Sequence, residues 1–286
     1  MNMLKLTTGV LALWLVAVSP VLQAAPLCTL LAEAATNKVV KRAGEHCSER
    51  FTPASTFKIP LSLMGYDSGF LTDEHLPAIP YREGSPALDP SWKTTVDPTS
   101  WIKNSVVWYS QQMTGWLGKE RLQRYISKFN YGNQDLSGNP GLNDGLTQAW
   151  LSSSLRISPL EQAAFLEKLL ARQLPVSAHA YEMTRRILYV GELPNGWSVH
   201  GKTGTGYQMK DDGTPDLTRQ IGWFVGWADK GKRNIVFVYA VSDEQERPTR
   251  AGLRARESFM ERLPALLDAL PAAADPSPAA PSAAQP

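Results

Sequence analysis

The chain has 286 residues, with 29 Lys+Arg against 27 Asp+Glu and 43% hydrophobic residues. This composition is typical of a folded globular protein and excludes a disordered or fibrous one. The formal net charge of +2 comes without a basic cluster, which gives no electrostatic reason to bind nucleic acid or a membrane. We therefore expect a small-molecule partner.

The two ends of the chain differ from its middle. In residues 1–24, Lys5 is the single charged residue, and an apolar stretch follows it and ends in small residues. This pattern predicts a secretory signal peptide cleaved after Ala24, with export to the periplasm and no membrane attachment afterwards. Residues 271–286 are rich in Pro and Ala and predict a disordered tail, which leaves residues 25–270 as the folded domain.

The two cysteines, Cys28 and Cys47, suggest one disulfide in an oxidising compartment. Leu27–Glu33 and Lys38–Arg42 predict two strands around a turn at Ala35–Asn37, and such a hairpin would bring both cysteines to neighbouring ends. Two buried free thiols are the alternative. The spacing is too wide for a redox or zinc motif.

Hydrophobic periodicity predicts the remaining elements. In chain order they are a helix over Pro53–Gly69 kinked at Pro60, a long loop over 77–100, helices over Gly118–Phe129, Ser158–Arg172 and Ser177–Val190, strands over Trp197–Thr203, Ile221–Ala228 and Ile235–Val241, and a helix over Leu253–Leu270 interrupted at Pro264. This order predicts an α+β fold, in which an antiparallel sheet flanked by terminal helices lies beside an all-helical lobe. The groove between the lobes is the expected ligand site.

Ser55-Thr56-Phe57-Lys58 places a hydroxyl and an amine one helical turn apart, at the N-terminus of the first predicted helix. A serine becomes a strong nucleophile when a base takes its proton, and a lysine can do so when it is neutral. The Ser-x-x-Lys pattern alone is weak, since Ser100-Trp101-Ile102-Lys103 repeats it. We interpret the second occurrence as a surface turn.

A later Lys202-Thr203-Gly204, at the end of a predicted strand, favours the first occurrence as the functional one. A cation, a hydroxyl and an exposed strand backbone together suit a ligand that carries a carboxylate and an amide. Ser-x-x-Lys followed by a distant Lys-Thr-Gly is the joint signature of the serine β-lactamases and the penicillin-binding proteins.

Further segments resemble the class D β-lactamases, or oxacillinases, from about Cys28 to Leu270. They are Pro53–Pro60 around the serine, Ser105-Val106-Val107 as the Ser-x-Val motif, Tyr131-Gly132-Asn133, Gly222–Trp227, Trp150 in an omega-type loop and Arg250 as the carboxylate-binding arginine. One segment departs from the family pattern: Thr205–Asp212 is longer and more polar than expected, and it lies where the pocket rim should be.

The resemblance implies a role for each matched residue. Catalytic roles fall to Ser55 as nucleophile, Lys58 as general base in the form of a carbamate made with CO2, Ser105 and Lys202 as proton relays to the leaving nitrogen, and Trp150 as a hydrogen-bond donor to the carbamate. Substrate binding falls to Thr203 and Arg250 at the carboxylate, Val107 in the apolar wall, Gly204 in the strand, and the backbone N–H groups of Ser55 and Thr205 as the oxyanion hole.

A lysine with an ordinary pKa is almost fully charged near neutral pH, and the neutral amine is the form that reacts with CO2. Burial against Phe57, Val107 and Trp150 would lower the pKa of Lys58. No metal or organic cofactor is expected, because the four histidines show no ligand spacing. CO2 or bicarbonate is the small molecule that the expected mechanism requires.

We thus expect an enzyme, a monomer or homodimer, that hydrolyses the β-lactam amide of penicillins through an acyl-serine and confers β-lactam resistance. One alternative is a penicillin sensor, which is acylated at the same serine but does not hydrolyse the adduct. Another is a cell-wall D,D-peptidase, which would normally show Ser-x-Asn where Ser105-Val106-Val107 stands.

Overall fold

The computed structural model describes residues 25–272. The predicted signal peptide lies outside the described residues, as does the predicted tail apart from its first two residues, and both stay predictions. Within the described range, none of the helices has the length and apolar character needed to span a membrane.

The described chain folds into one mixed structure of strands and helices. The strands are β1 (Ala25–Glu33), β2 (Lys38–Ala43), β3 (Tyr189–Glu192), β4 (Ser198–Met209), β5 (Pro215–Lys230) and β6 (Arg233–Ser242). The helices are α1 (Lys58–Ser68), α2 (Pro98–Asn104), α3 (Val107–Phe129), α4 (Gly145–Gln148), α5 (Pro159–Leu170), α6 (Ala178–Ile187) and α7 (Ala251–Asp268). The strands form one antiparallel sheet in the order β2-β1-β6-β5-β4-β3. This confirms the predicted α+β class.

The sheet separates two hydrophobic clusters, because successive side chains of a strand point to opposite faces. On one face, Phe224 of β5 packs against Phe259 of α7, with ring centroids 6.2 Å apart. On the other face, Trp223 and Val225 join the core of the helical lobe. Terminal helices were expected to flank the sheet, and within the described residues the one terminal helix is α7.

Cys28 and Cys47 are joined by a disulfide, which confirms the predicted pairing over the alternative of two free thiols. The bond ties β1 to the segment that follows β2. Both cysteines are fully buried, and the backbone N–H of His46 donates to the carbonyl of Leu27 at 3.2 Å. The disulfide and this hydrogen bond therefore hold the segment leading to Ser55 against β1.

The helix around Ser55 has two parts. A 3₁₀ turn over Ala54–Phe57 carries Ser55 and leads directly into α1, which ends at a left-handed Gly69. Pro60, predicted to kink the helix, falls in the first turn of α1, where the absence of an amide hydrogen costs nothing. The irregularity therefore precedes Pro60 and takes the form of the 3₁₀ turn.

The predicted loop over 77–100 was wrong at its end, where α2 begins. Asp97 caps this helix: its Oδ1 accepts from the N–H of Ser100 at 2.7 Å, while Ser100 Oγ accepts from the N–H of Asp97 at 2.9 Å. Pro98 at the first helical position is also a start signal, which the prediction overlooked. Ser100–Lys103 is consequently part of a helix with a buried Trp101, and not a surface turn.

Two predicted helices have different limits in the structure. The first, Gly118–Phe129, is the second half of α3, which already begins at Val107 and is interrupted at Gly118 by a φ of 72°. Glycines near this break weakened the helical pattern of the first half. The second, Ser177–Val190, ends at Ile187, and β3 follows as an edge strand of the sheet.

The C-terminal part of the chain is more regular than predicted. The polar segment Thr205–Asp212 continues β4 to Met209, and β5 begins at Pro215, so the departure from the family pattern is a longer hairpin. Helix α7 continues through Pro264, where an interruption was predicted. The apolar face of α7, which is buried on the sheet, holds the helix together across the proline.

Candidate active site

Ser55 lies half-buried in the 3₁₀ turn, between the sheet and the helical lobe. Thr56 stabilises this turn: its hydroxyl donates to the carbonyl of Pro53 at 2.7 Å and accepts from Gln162 Nε2 at 2.8 Å. From the sheet side, Gly204 packs so closely that a Cβ there would lie 2.9 Å from the carbonyl oxygen of Pro53. The Lys-Thr-Gly strand therefore lies directly against the turn that carries Ser55.

Lys58 is the first residue of α1 and is 1% exposed. Its Nζ donates to Ser55 Oγ at 3.1 Å. Burial lowers the pKa of Lys58 well below its ordinary value, and the positive charge of Lys202 lowers it further. This is the direction expected from the sequence, and it favours the neutral amine, the form that can react with CO2.

Phe57, which precedes Lys58 in the chain, belongs to an apolar wall of buried aromatic rings. Phe57 stacks on Trp150 with ring centroids 5.2 Å apart and meets Tyr131 edge to face at 5.8 Å. Val107, the first residue of α3, is buried in the same core as these rings. The wall is therefore apolar and buried.

The loop that carries Trp150 is braced by the Tyr-Gly-Asn turn. Asn133 Nδ2 donates to the carbonyl of Ser154 at 2.8 Å, and its Oδ1 accepts from the N–H of Arg156 at 2.9 Å. Gly132 has a φ of 55°, and a Cβ there would lie 2.1 Å from the carbonyl oxygen of Arg156. No side chain fits at this position, which explains the glycine in physical terms.

Lys202 on β4 is 4% exposed, and its Nζ donates to the carbonyl of Thr203 at 3.1 Å and to Thr203 Oγ1 at 3.3 Å. Burial, followed by the charges of Arg256 and Arg250, lowers the pKa of Lys202 to about 7. A group with this pKa exchanges protons readily near neutral pH, as a proton relay must.

Ser105 occupies the junction of α2 and α3, where it and Val106 are the two residues between the helices. Its backbone is left-handed, with a φ of 59°, and its side chain is half-buried. In the described part of the chain, Ser105 Oγ makes no hydrogen bond to Ser55 or Lys58. The helix junction thus positions Ser105, while the structure does not join it to the nucleophile.

The start of α7 lies against the Lys-Thr-Gly strand. The N–H of Gly252 donates to Thr205 Oγ1 at 2.9 Å, and a Cβ at Gly252 would lie 2.4 Å from the carbonyl oxygen of Gly204. This packing places Arg250, the residue that precedes α7, beside the strand. The Nη2 of Arg250 donates to Asp89 Oδ2 at 2.7 Å, a contact that the sequence analysis did not foresee.

Comparison with known proteins places this site in a family. The penicillin-binding protein transpeptidase domain matches residues 27–265. β-Lactamase OXA-9 of Klebsiella pneumoniae is 43% identical over 84% of this chain and 88% of its own, and β-lactamase OXA-1 of Escherichia coli is 36% identical over 84% of each. This chain is 52% identical to the chain in the crystal structure of the class D β-lactamase OXA-427, with a TM-score of 0.80. The match covers 84% of this chain and 98% of that chain. The chain belongs to the class D β-lactamases.

In this class D β-lactamase, sequence reasoning missed a residue that links three parts of the site. Thr52 Oγ1 donates to the carbonyl of Trp150 at 2.9 Å and accepts from the N–H of Ser152 at 2.9 Å. Its carbonyl accepts from Trp223 Nε1 of β5 at 3.0 Å. Thr52 therefore connects the segment before Ser55 to the Trp150 loop and to the sheet. Gln162, which supports Thr56, was also missed, and neither residue belongs to a recognisable motif.

Proposed function

We propose that this class D β-lactamase hydrolyses the β-lactam amide of penicillin-type antibiotics through an acyl intermediate on Ser55. The observation that carries the proposal is the 3.1 Å contact between Ser55 Oγ and Lys58 Nζ, made by a buried lysine whose pKa is lowered. The names of the relatives, which are β-lactamases, support the same reaction class.

In the acylation step, Ser55 Oγ forms a bond to the β-lactam carbonyl carbon while the carboxylated Lys58 removes the hydroxyl proton. The backbone N–H groups of Ser55 and Thr205 stabilise the negative charge on the carbonyl oxygen. The ring C–N bond then breaks, and the nitrogen receives a proton through Ser105 and Lys202. The lowered pKa of Lys202, about 7, suits it to this transfer.

The surroundings of Lys58 fit an N-carboxylated lysine. The amine is buried, its pKa is lowered, and the indole of Trp150 stacks on Phe57, the residue before Lys58, in the aromatic wall. When carboxylated by CO2, Lys58 supplies an anionic general base for the attack of water on the acyl-enzyme. Trp150 donates a hydrogen bond to that base, and Val107 keeps the wall apolar.

At the other end of the site, Thr203 and Arg250 bind the carboxylate of the substrate. The planar guanidinium of an arginine suits a planar carboxylate better than a point charge does. With the predicted signal peptide, the enzyme acts in the periplasm, where it destroys β-lactams before they reach the cell wall and so confers resistance.

A steady-state assay of the purified mature protein against a panel of penicillins, with and without bicarbonate, tests this function. We expect many turnovers per enzyme and stimulation by bicarbonate. Stoichiometric acylation of Ser55 without turnover would contradict the proposal and favour a penicillin sensor. Cleavage of D-Ala-D-Ala peptides in place of penicillins would favour a peptidase.

A further inference from the structure

The ion pair between Arg250 and Asp89 joins the two sides of the active site. Arg250 precedes α7 on the sheet side. Asp89 lies in the segment between α1 and α2, and this segment is anchored on the helical side by Trp92, whose Nε1 donates to the carbonyl of Asn104 at 2.9 Å. Because Asn104 immediately precedes Ser105, Asp89 belongs to the part of the helical lobe that borders the site.

Asp89 presents a charged oxygen to Arg250. Its Oδ1 accepts from the N–H of Ser91 at 3.0 Å and from Ser91 Oγ at 2.8 Å, which leaves Oδ2 to face the guanidinium. The hydrogen bond from the Ser91 hydroxyl contributes most to holding the pKa of Asp89 below its ordinary value. The bond from the Ser91 N–H and the charge of Arg250 lower this pKa further. Asp89 is therefore ionised at neutral pH.

The guanidinium of Arg250 is partly occupied as a result. A carboxylate binds an arginine best through two parallel N–H···O bonds, and Nη2 already donates to Asp89. Trp92 covers another part of the group, since its ring centroid lies 5.7 Å from Arg250 Cζ. A substrate carboxylate must therefore share the remaining N–H groups with Asp89 or displace it.

We propose that Asp89 is a specificity-determining residue that competes with the substrate's carboxylate for Arg250. The inference rests on the proposed function, in which Arg250 binds that carboxylate. The side chains of Arg250 and Asp89 are 39% and 37% exposed, so water and salt screen the pair, and an incoming carboxylate can replace Asp89. The negative charge of Asp89 thus weakens the preference of the enzyme for anionic over neutral β-lactams.

Asp89→Asn tests the competition, because the amide oxygen can still accept from Ser91 while the negative charge is lost. The measured quantity is the ratio of kcat/KM for a penicillin to kcat/KM for the methyl ester of the same penicillin. We expect this ratio to rise about three- to fivefold, which is the upper range for an exposed ion pair. The rise should come from a lower KM for the acid, with kcat within about twofold of the parent.

Two controls separate competition from a general effect of charge. Asp216→Asn removes an equal charge from an aspartate that accepts the same pair of hydrogen bonds from Thr218, but that forms no ion pair with an arginine among the described residues. This variant should leave the ratio unchanged. In an Arg250→Ala background, Asp89→Asn should also have no effect, because the guanidinium for which Asp89 and the substrate compete is absent.

The failure of this inference differs from the failure of the proposed function. A parent protein that does not hydrolyse penicillins refutes the function itself. An active parent in which Asp89→Asn leaves the acid-to-ester ratio unchanged, or lowers it, overturns the competition. An equal change in the Arg250→Ala background overturns it too, since the effect would then not pass through Arg250.

Discussion

The chain contains two Ser-x-x-Lys segments whose surroundings differ in almost every respect. At Ser55–Lys58, a 3₁₀ turn without side-chain caps holds a half-buried serine, and the lysine is buried and donates to it. At Ser100–Lys103, the serine closes a capping box with Asp97, its Oγ donating to Asp97 Oδ1 at 2.5 Å, and the lysine is exposed.

The difference shows how an identical spacing produces either a nucleophile or a helix cap. Ser100 has its hydrogen bonds satisfied by the carboxylate of Asp97, and the side chain of Lys103 is exposed to solvent. The partner of Ser55 is the amine of Lys58, and burial lowers the pKa of that amine. Desolvation of the lysine is thus what converts the motif into a reactive pair.

Substitution of the two serines should give the largest contrast. Ser55→Ala removes the atom that attacks the carbonyl, so we expect at least a 10³-fold loss of kcat/KM and no covalent penicillin adduct by mass spectrometry. Ser100→Ala should form the adduct at the parental rate. An adduct on Ser100 in the Ser55→Ala variant would refute the assignment of the nucleophile.

The two lysines sharpen the contrast further. Lys58→Ala removes the general base, and we expect turnover to fall by about 10²- to 10⁴-fold, with a long-lived acyl-enzyme if acylation persists. Lys103→Ala is the matched control and should retain parental kcat and KM, since its side chain is exposed. Rapid deacylation by Lys58→Ala, followed by stopped-flow or mass spectrometry, would show that another group activates the water.

Arg250→Ala should have the next largest effect, raising the KM for penicillins about tenfold or more while lowering kcat less. The reason is that the arginine contacts the substrate carboxylate equally in the ground state and in the transition state. The methyl ester of the same penicillin serves as the control substrate, and its KM should change little. An unchanged KM for the acid would remove Arg250 from the binding site.

Substitutions of Trp150 test whether burial keeps Lys58 neutral. Protonation of Lys58 abolishes its action as a base, so activity should fall as the pH is lowered through its pKa. Trp150→Ala admits water and raises that pKa, and the acidic limb of the kcat/KM profile should move to higher pH. Trp150→Phe keeps the apolar wall but lacks the N–H donor, so the limb should stay near the parental position.

Both Trp150 variants should need more bicarbonate than the parent, because both lack the hydrogen bond to a carboxylated Lys58. A carbamate carbon signal after addition of ¹³C-labelled bicarbonate should be strong in the parent and weaker in each variant. Full parental turnover in CO2-free buffer, without such a signal, would exclude carboxylation of Lys58.

The smallest expected effect belongs to the helix cap. Ser100→Ala breaks the reciprocal hydrogen bonds with Asp97 and should lower the free energy of unfolding by about 1 kcal/mol, measured by chemical denaturation. Catalytic constants should remain parental. A large loss of kcat in this variant would mean that α2 controls the position of Ser105 more directly than its cap suggests.

Sequence reasoning succeeded where the signal is local. Trp223 to Val225 alternate between the two faces of the sheet as a period of two predicts, and Ser158-Pro159-Leu160-Glu161 opens α5 as a capping box should. It failed where burial overrides local preference. Pro264 lies inside α7 because the helix is packed on the sheet. Helix α2 was missed for another reason: it is short, and its proline and polar residues give no clear helical pattern.

The site shows the same division. The order of the motifs in the chain indicates the family and names Ser55, Lys58 and Lys202, since chemistry restricts which residue types can occupy these positions. The desolvation of Lys58, the role of Thr52 between three distant segments and the pairing of Arg250 with Asp89 depend on contacts between residues far apart in the sequence. Such contacts leave no periodic or motif signal in one chain, because their partners are brought together by packing and not by spacing.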